Sequence, residues 1–205
     1  MIINKVNFAI ITMFLFCFIS VAQNKSENNS KTMKTFEQTI LILKEKGIVE
    51  QEVHPQKPQS MPKHSDENPT GINFDNMPLE NENLGNLDLE RTFFYKSEIN
   101  TCNFENSKLK ESHLCWNDFY HTDFTGADLS GSDLRASIFE DVRFIRTNLS
   151  NTDLRQSDFE NCNFDSANMK GAKLTIGQKK ELNLSEKQIN EIDWMNDEGA
   201  EPEGG

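Results

Sequence analysis

The stretch ADLSGSDLRASIF, residues 127–139, sets an apolar residue at every fifth position: Leu129, Leu134 and Phe139. Amphipathic helices repeat their apolar positions every 3.6 residues and strands every 2, so neither element explains a period of five. The register is long. Counted by fives from Leu84 it passes through Phe104, Phe124, Phe144 and Phe164 to Leu174, with no polar member and no insertion. Two places before each of these, from Thr92 to Ala172, the residue is small or compact; Asn117 is the one awkward member. Self-similarity at a fixed short period marks a solenoid, in which each repeat packs mainly on its neighbours.

A second period sets the size of one coil. Phe recurs at 104, 124, 144 and 164 and again at 119, 139 and 159, while Leu or Met fills 109, 129, 149 and 169 and Leu fills 114, 134, 154 and 174. Identity therefore returns after 20 residues, four fives, which describes a tube with four short sides. Coils stacked at strand spacing lie about 4.8 Å apart. Two adjacent Phe columns then face two adjacent Leu columns, and the small residues fill the remaining interior.

This pattern, in ADLSGSDLRAS and again in SDFENCNFDSANMKGAKL, resembles the pentapeptide-repeat family, whose consensus is A(D/N)LXX. The resemblance covers residues 84–176 without a break and extends more weakly back to Phe74. It implies an all-β solenoid, a right-handed quadrilateral β-helix. The predicted organisation is a leader at 1–22, a disordered leader, helix and Pro-rich linker at 23–73, coils at 74–176, and a helical cap with an acidic tail at 177–205.

The first 22 residues carry Lys5, an apolar run from about Phe8 to Val21, and the small residues Ser20 and Ala22. That is the layout of a secretory signal cleaved after Ala22, an uncleaved anchor being the alternative. It predicts export to the periplasm, cell envelope or extracellular space, with no stable membrane anchor after cleavage. The net charge of −12 is concentrated in residues 74–176, at −8, and residues 177–205, at −5. Such an acidic body argues against binding nucleic acid or anionic lipid. Beyond Cys17 in the leader, the odd count of Cys102, Cys115 and Cys162 argues against a disulfide framework.

A solenoid needs its open ends covered. TFEQTILILKEKG has Thr35 and Gln38 at capping-box spacing and stops at Gly47, predicting a helix over about 35–46. TIGQKKELNLSEKQINEIDW holds two more such pairs, Thr175 with Gln178 and Ser185 with Gln188, and is expected to cap the last coil, with homodimerisation as the alternative. Four prolines between 55 and 69 mark an extended linker, which leaves the helix able to fold back on the coils.

Outward positions of the coils are mostly polar, with one exception. Phe93, Tyr95, His113, Cys115, Trp116, Tyr120 and Ile138 gather into an apolar and aromatic cluster, the candidate interaction surface for a protein partner unless residues 33–73 wrap back over it. Glu98, Asp118, Glu140, Asp158 and Glu160 form the most acidic side. Some members of the family regulate or protect DNA gyrase and other topoisomerases by presenting carboxylate columns that resemble duplex DNA, so the resemblance also admits that role in the cytosol. The repeated Ser and Thr have no general base beside them, and no phosphate-binding loop is present. His113 and Cys115 offer two ligands of the three or four that a zinc site needs. No catalytic, cofactor or metal residue is therefore assigned. The sequence predicts an exported, non-enzymatic module for protein interaction or scaffolding.

Overall fold

The computed structural model describes residues 32–52, 55–63 and 71–196, so the leader, Cys17 and the acidic tail lie outside the described residues. Within them the chain is a parallel β-solenoid. On its first side β1 (Asn73–Asp75) pairs with β3 (Phe93–Tyr95), and β8 (Lys173–Thr175) pairs with β9 (Asp193–Met195). On its second side β2 (Leu79–Glu80), β4 (Glu98–Asn100), β5 (Asp118–Tyr120), β6 (Ile138–Glu140) and β7 (Asp158–Glu160) form one parallel sheet. Single bridges from Asn83 and Asp88 onward build the third and fourth sides. Every pairing joins residues 20 apart, for example Phe119 with Phe139 and Asp128 with Asn148.

That offset places like residues over like. Phe119, Phe139 and Phe159 stack with ring centroids 5.0 and 5.1 Å apart, and Phe104, Phe124, Phe144 and Phe164 at 5.0–5.5 Å. The two columns meet edge to face at 5.5–5.6 Å. Both arrangements suit the aromatic quadrupole. Leu109, Leu129 and Leu149 on the fourth side and Leu114, Leu134 and Leu154 on the first are fully buried against them.

The small residues do more than fill space. Ser97 Oγ donates to the Phe74 carbonyl at 2.5 Å, Ser137 to Leu114 at 3.1 Å and Ser157 to Leu134 at 2.7 Å. Each reaches back 23 residues, to the central residue of the coil below. Ser112, Ser132, Thr152, Thr122 and Thr147 repeat the bond in the other columns. The hydroxyls also accept: Ser137 N–H donates to Ser157 Oγ at 3.2 Å. Asn117 fits this column because its amide has both functions. Its Nδ2 donates to Phe94 and Cys115 carbonyls, each at 3.1 Å, and its Oδ1 accepts the Ser97 N–H at 2.9 Å.

Each corner falls two residues after a central one and has positive φ. Glycine occupies this position only at 126, 131 and 171 of the coils; elsewhere Asn and such unsuited residues as Arg91, Thr101, Trp116 and Ala136 hold φ of 50–60°. Stacking of neighbouring coils over-determines a conformation that L-residues otherwise avoid.

Both ends are covered. Helix α1 (Phe36–Glu45) has the expected capping box between Thr35 and Gln38. It buries Phe36, Ile40 and Leu43 in one apolar cluster with Leu84, Leu87 and Leu89. Asp88 N–H donates to Thr39 Oγ1 at 2.9 Å, and Lys46 meets Glu82 at 2.7 Å. The helix therefore folds back onto the first coil. The linker is not free either: Pro58 and Pro62 are buried, and the Pro58 carbonyl accepts from Arg91 Nη1 at 3.0 Å.

At the other end a 3-10 turn (Gly177–Lys180), α2 (Glu186–Glu191) and β9 close the last coil. The Ser185–Gln188 capping box is present, whereas Thr175 and Gln178 form only its return half, Gln178 Oε1 accepting the Thr175 N–H at 2.7 Å. Both glutamines have a further role. Gln178 Nε2 donates to the Leu154 and Ser157 carbonyls at 3.0 and 2.6 Å, and Gln188 Nε2 to those of Phe164 and Ala167 at 2.8 and 3.2 Å. They thus satisfy, at Leu154 and Phe164, the acceptors that the next coil's hydroxyls would have met, and, at Ser157 and Ala167, those of its backbone N–H groups. Trp194 occupies the central position of β9, paired with Leu174.

Candidate functional site

The coil register sorts the outward residues into columns. The first side carries Phe93, His113, Asp133, Asp153 and Lys173 in one column and, two residues on, Tyr95, Cys115, Arg135, Arg155 and Thr175 in the other. Phe93, Tyr95, His113 and Cys115, expected as an exposed cluster, are buried at 4%, 4%, 6% and 0% exposure. Phe93, Tyr95 and Cys115 make a small apolar cluster of their own, with Trp116 packed against it. The repeat register counts these positions as outward, so it does not reveal their burial. Of the proposed surface only Trp116, Tyr120 and Ile138 reach solvent, Ile138 at 40%.

The His113 ring stacks on Phe93 at 4.8 Å and 2°, which fixes its plane. Its Nε2 lies 3.0 Å from Cys115 Sγ. Asp133, one coil further on, brings a carboxylate into the same group, with the ligand atoms of His113, Cys115 and Asp133 all within 4.8 Å of one another. Asp133 was missed, although the 20-residue offset from His113 points straight to it. Its Oδ1 accepts from Arg135 N and Nε at 3.2 and 2.9 Å, and Oδ2 from Nη2 at 2.7 Å. Arg155 and Asp153 repeat that fork one coil later.

Burial, with Asp133 adding to it, pushes the Cys115 thiol up to about 12. Burial likewise pushes Cys162 up to about 11 and raises Cys102. All three are free thiols and stay protonated at neutral pH, so none is an activated nucleophile. Cys102 and Cys162 do stand in one interior column, each donating to the carbonyl 23 residues back.

On the second side the outward residues are Glu98, Asp118, Ile138 and Asp158 in one column and Glu80, Asn100, Tyr120, Glu140 and Glu160 in the other. The five expected acids do share this face. Among the described residues none of them forms an ion pair, in contrast to the forked Asp–Arg pairs of the first side. Burial and then the neighbouring Glu98 charge raise the Asp118 carboxyl; burial and the carboxylates around it raise Tyr120. Beside the sheet a groove of about 500 Å³ is lined by Trp116, Asp118, Ile138, Gln156 and Asp158. The Trp116 indole N–H is buried with no partner among the described residues. No helix among them is long and apolar enough to cross a membrane.

Residues 117–194 match the family described as the pentapeptide repeat region, and residues 97–135 match a run of eight pentapeptide repeats. Solved structures similar to the chain include the pentapeptide repeat protein Rfr23 from Cyanothece 51142, 16% identical over 47% of this chain and 83% of its own, TM-score 0.28. A second comes from the Arabidopsis thaliana thylakoid lumen, 24% identical over 61% of this chain and 83% of its own, TM-score 0.29. A third is QnrB1, a plasmid-mediated fluoroquinolone resistance protein, 12% identical over 61% of this chain and 91% of its own, TM-score 0.26. No curated protein matches the sequence. The family match runs through the capping segment to Trp194, the last central residue of the 20-residue register, and on both grounds residues 97–194 of the chain are a pentapeptide-repeat region.

Proposed function

We propose that the protein is an exported, non-enzymatic interaction module whose second side docks a basic surface of a protein partner. One observation carries this reading. Glu98, Asp118, Glu140, Asp158 and Glu160 surround Tyr120 and Ile138 on one sheet face, with no ion pair to any of them among the described residues. Stacked carboxylates repel across strands, and a cationic partner relieves that repulsion while the two apolar groups give it a dry centre. The expected aromatic surface thereby contracts to Trp116, Tyr120 and Ile138, and the acidic face joins it. Export rests on the sequence of residues 1–22.

The same carboxylates support a second reading, a DNA-mimicking regulator of gyrase, which requires the leader to be retained in the cytosol. Mass spectrometry of the N-terminus after cell fractionation separates the two. A periplasmic product starting at Gln23 supports export, and an intact cytosolic Met1 product refutes it and makes a gyrase supercoiling assay decisive. For the docking face, a photo-crosslinking residue at Tyr120 should capture a defined partner in the source cells, and one at Ser150 on the fourth side should not. Equal capture from both positions refutes the assignment of the face.

A further inference from the structure

We propose that His113, Cys115 and Asp133 form a binding site for a borderline-soft divalent cation, Zn²⁺ above all, which clips two successive coils together. The donor set is one sulfur, one imidazole nitrogen and one carboxylate oxygen, a combination that suits zinc and not the all-oxygen preference of Ca²⁺ or Mg²⁺. All three residues are buried, and their ligand atoms lie within 4.8 Å of one another. The site is held from outside. The Phe93 ring stacked on His113 sets the imidazole plane, and the Arg135 fork sets the carboxylate. Hydrogen-bonded carboxylates and oriented imidazoles are the usual outer support of metal ligands.

Asp133 keeps a place for the ion. A carboxylate offers about four lone-pair sites, and Arg135 N, Nε and Nη2 occupy three, which leaves one on Oδ2. Tetrahedral zinc with bonds near 2.3 Å to sulfur and 2.0 Å to nitrogen holds the two donors about 3.5 Å apart. His113 Nε2 and Cys115 Sγ stand at 3.0 Å, so binding opens that contact by a fraction of an ångström. The thiol proton leaves to solvent, Sγ and Nε2 bind the ion, and a water completes the fourth position. His113 and Cys115 belong to one coil and Asp133 to the next, paired in register with His113, so the ion bridges coils that otherwise meet through hydrogen bonds and packing.

The test uses the full chain with Co²⁺ as a spectroscopic probe and Zn²⁺ as competitor. One Co²⁺ per chain should bind with a thiolate charge-transfer band, and Zn²⁺ should displace it. Cys115→Ser should abolish the band and Asp133→Asn should weaken binding at least roughly tenfold, whereas Cys17→Ser, Cys102→Ser and Cys162→Ser should leave it intact. Because a variant in the packed first side can misfold, wild-type chain is also alkylated in partial denaturant and mapped by mass spectrometry. Zn²⁺ should then protect Cys115 selectively. A folded chain that gives no charge-transfer band, or a band that survives Cys115→Ser and vanishes with another cysteine, overturns the site.

Discussion

Replacing Asn117 with leucine tests whether the interior small-residue column is held by hydrogen bonding or by volume alone. Leucine keeps asparagine's branched side-chain skeleton, so no cavity opens, and overpacking by its bulkier methyls only adds to the loss. It removes three bonds: Ser97 N–H to Oδ1, and Nδ2 to the carbonyls of Phe94 and Cys115. The Ser97 N–H is then left buried without its partner, which costs about 1–3 kcal/mol, and each lost carbonyl bond adds about 1 kcal/mol. The extra apolar surface returns about 1–2 kcal/mol, so the net loss is about 1–4 kcal/mol. At roughly 2–4 °C per kcal/mol for a chain of this size, the melting temperature falls by about 2–16 °C. Asn117→Ser is the paired control, because a serine there can donate and accept as the Ser137 hydroxyl does one coil on. It should cost no more than about 1.5 kcal/mol, the volume term for a few buried atoms. Urea unfolding followed by circular dichroism, with both slopes compared to wild type, gives the two values. If Asn117→Leu stays within about 0.5 kcal/mol of wild type, well below the penalty for a buried orphan donor, the ladder is incidental and volume governs the column.

Phe139→Ala should destabilise the chain by about 3–5 kcal/mol and Phe159→Ala by clearly less, because Phe139 is fully buried between two stacked rings and Phe159 is partly exposed beneath the capping turn; chemical denaturation ranks them. At the corners, Ala136→Gly should stabilise by about 0.5–1 kcal/mol by relieving a left-handed residue. Gly126→Ala should instead destabilise, since its Cβ would stand 2.5 Å from Asn106 Oδ1 as well as at φ 69°; differential scanning calorimetry of both variants measures the pair. Alkylation of Cys162 at pH 8 should run about a hundredfold slower than a model thiol, because burial lifts it to about 11, and quantitative mass spectrometry after timed quenching reads the rate. The Asp118 carboxyl is raised in the fold, so its ionised form costs stability above that raised value, and the cost disappears as pH falls below the unfolded value. Asp118→Asn should therefore stabilise by a few tenths of a kcal/mol at pH 7, after screening, and leave stability unchanged at pH 3; a stability profile across that range checks the sign.

The coil was legible because a solenoid writes its geometry into the sequence as two periods. The five-residue period names the inward residues, and the return of Phe104 at Phe124 and Phe144 names the number of sides. The same offset should have joined Asp133 to His113 and Cys115, since anything 20 residues on lies directly above. What the periods leave out is where non-repeating chain runs. Phe93 and Tyr95 look exposed by register and are buried in the fold. The hydroxyl ladder was invisible for another reason: it spans 23 residues, and serine is expected in a tight interior on size alone. The corner conformation leaves only a partial trace in residue type: Asn and Gly recur there, yet Trp116, Glu111 and Arg91 are held in the same conformation by the coils above and below.

The two glutamines at the C-terminal end have a consequence for how long such a tube grows. Each coil presents the same carbonyls to the next, so nothing within the stack counts its members. Counting is done where an amide, on the 3-10 turn at Gln178 and on α2 at Gln188, takes the place of a hydroxyl on another coil. Length is thus a copy number set at one boundary. An internal duplication of 20 residues upstream of Gln178 would leave every lateral contact in place and move the boundary outward by one strand spacing, about 4.8 Å.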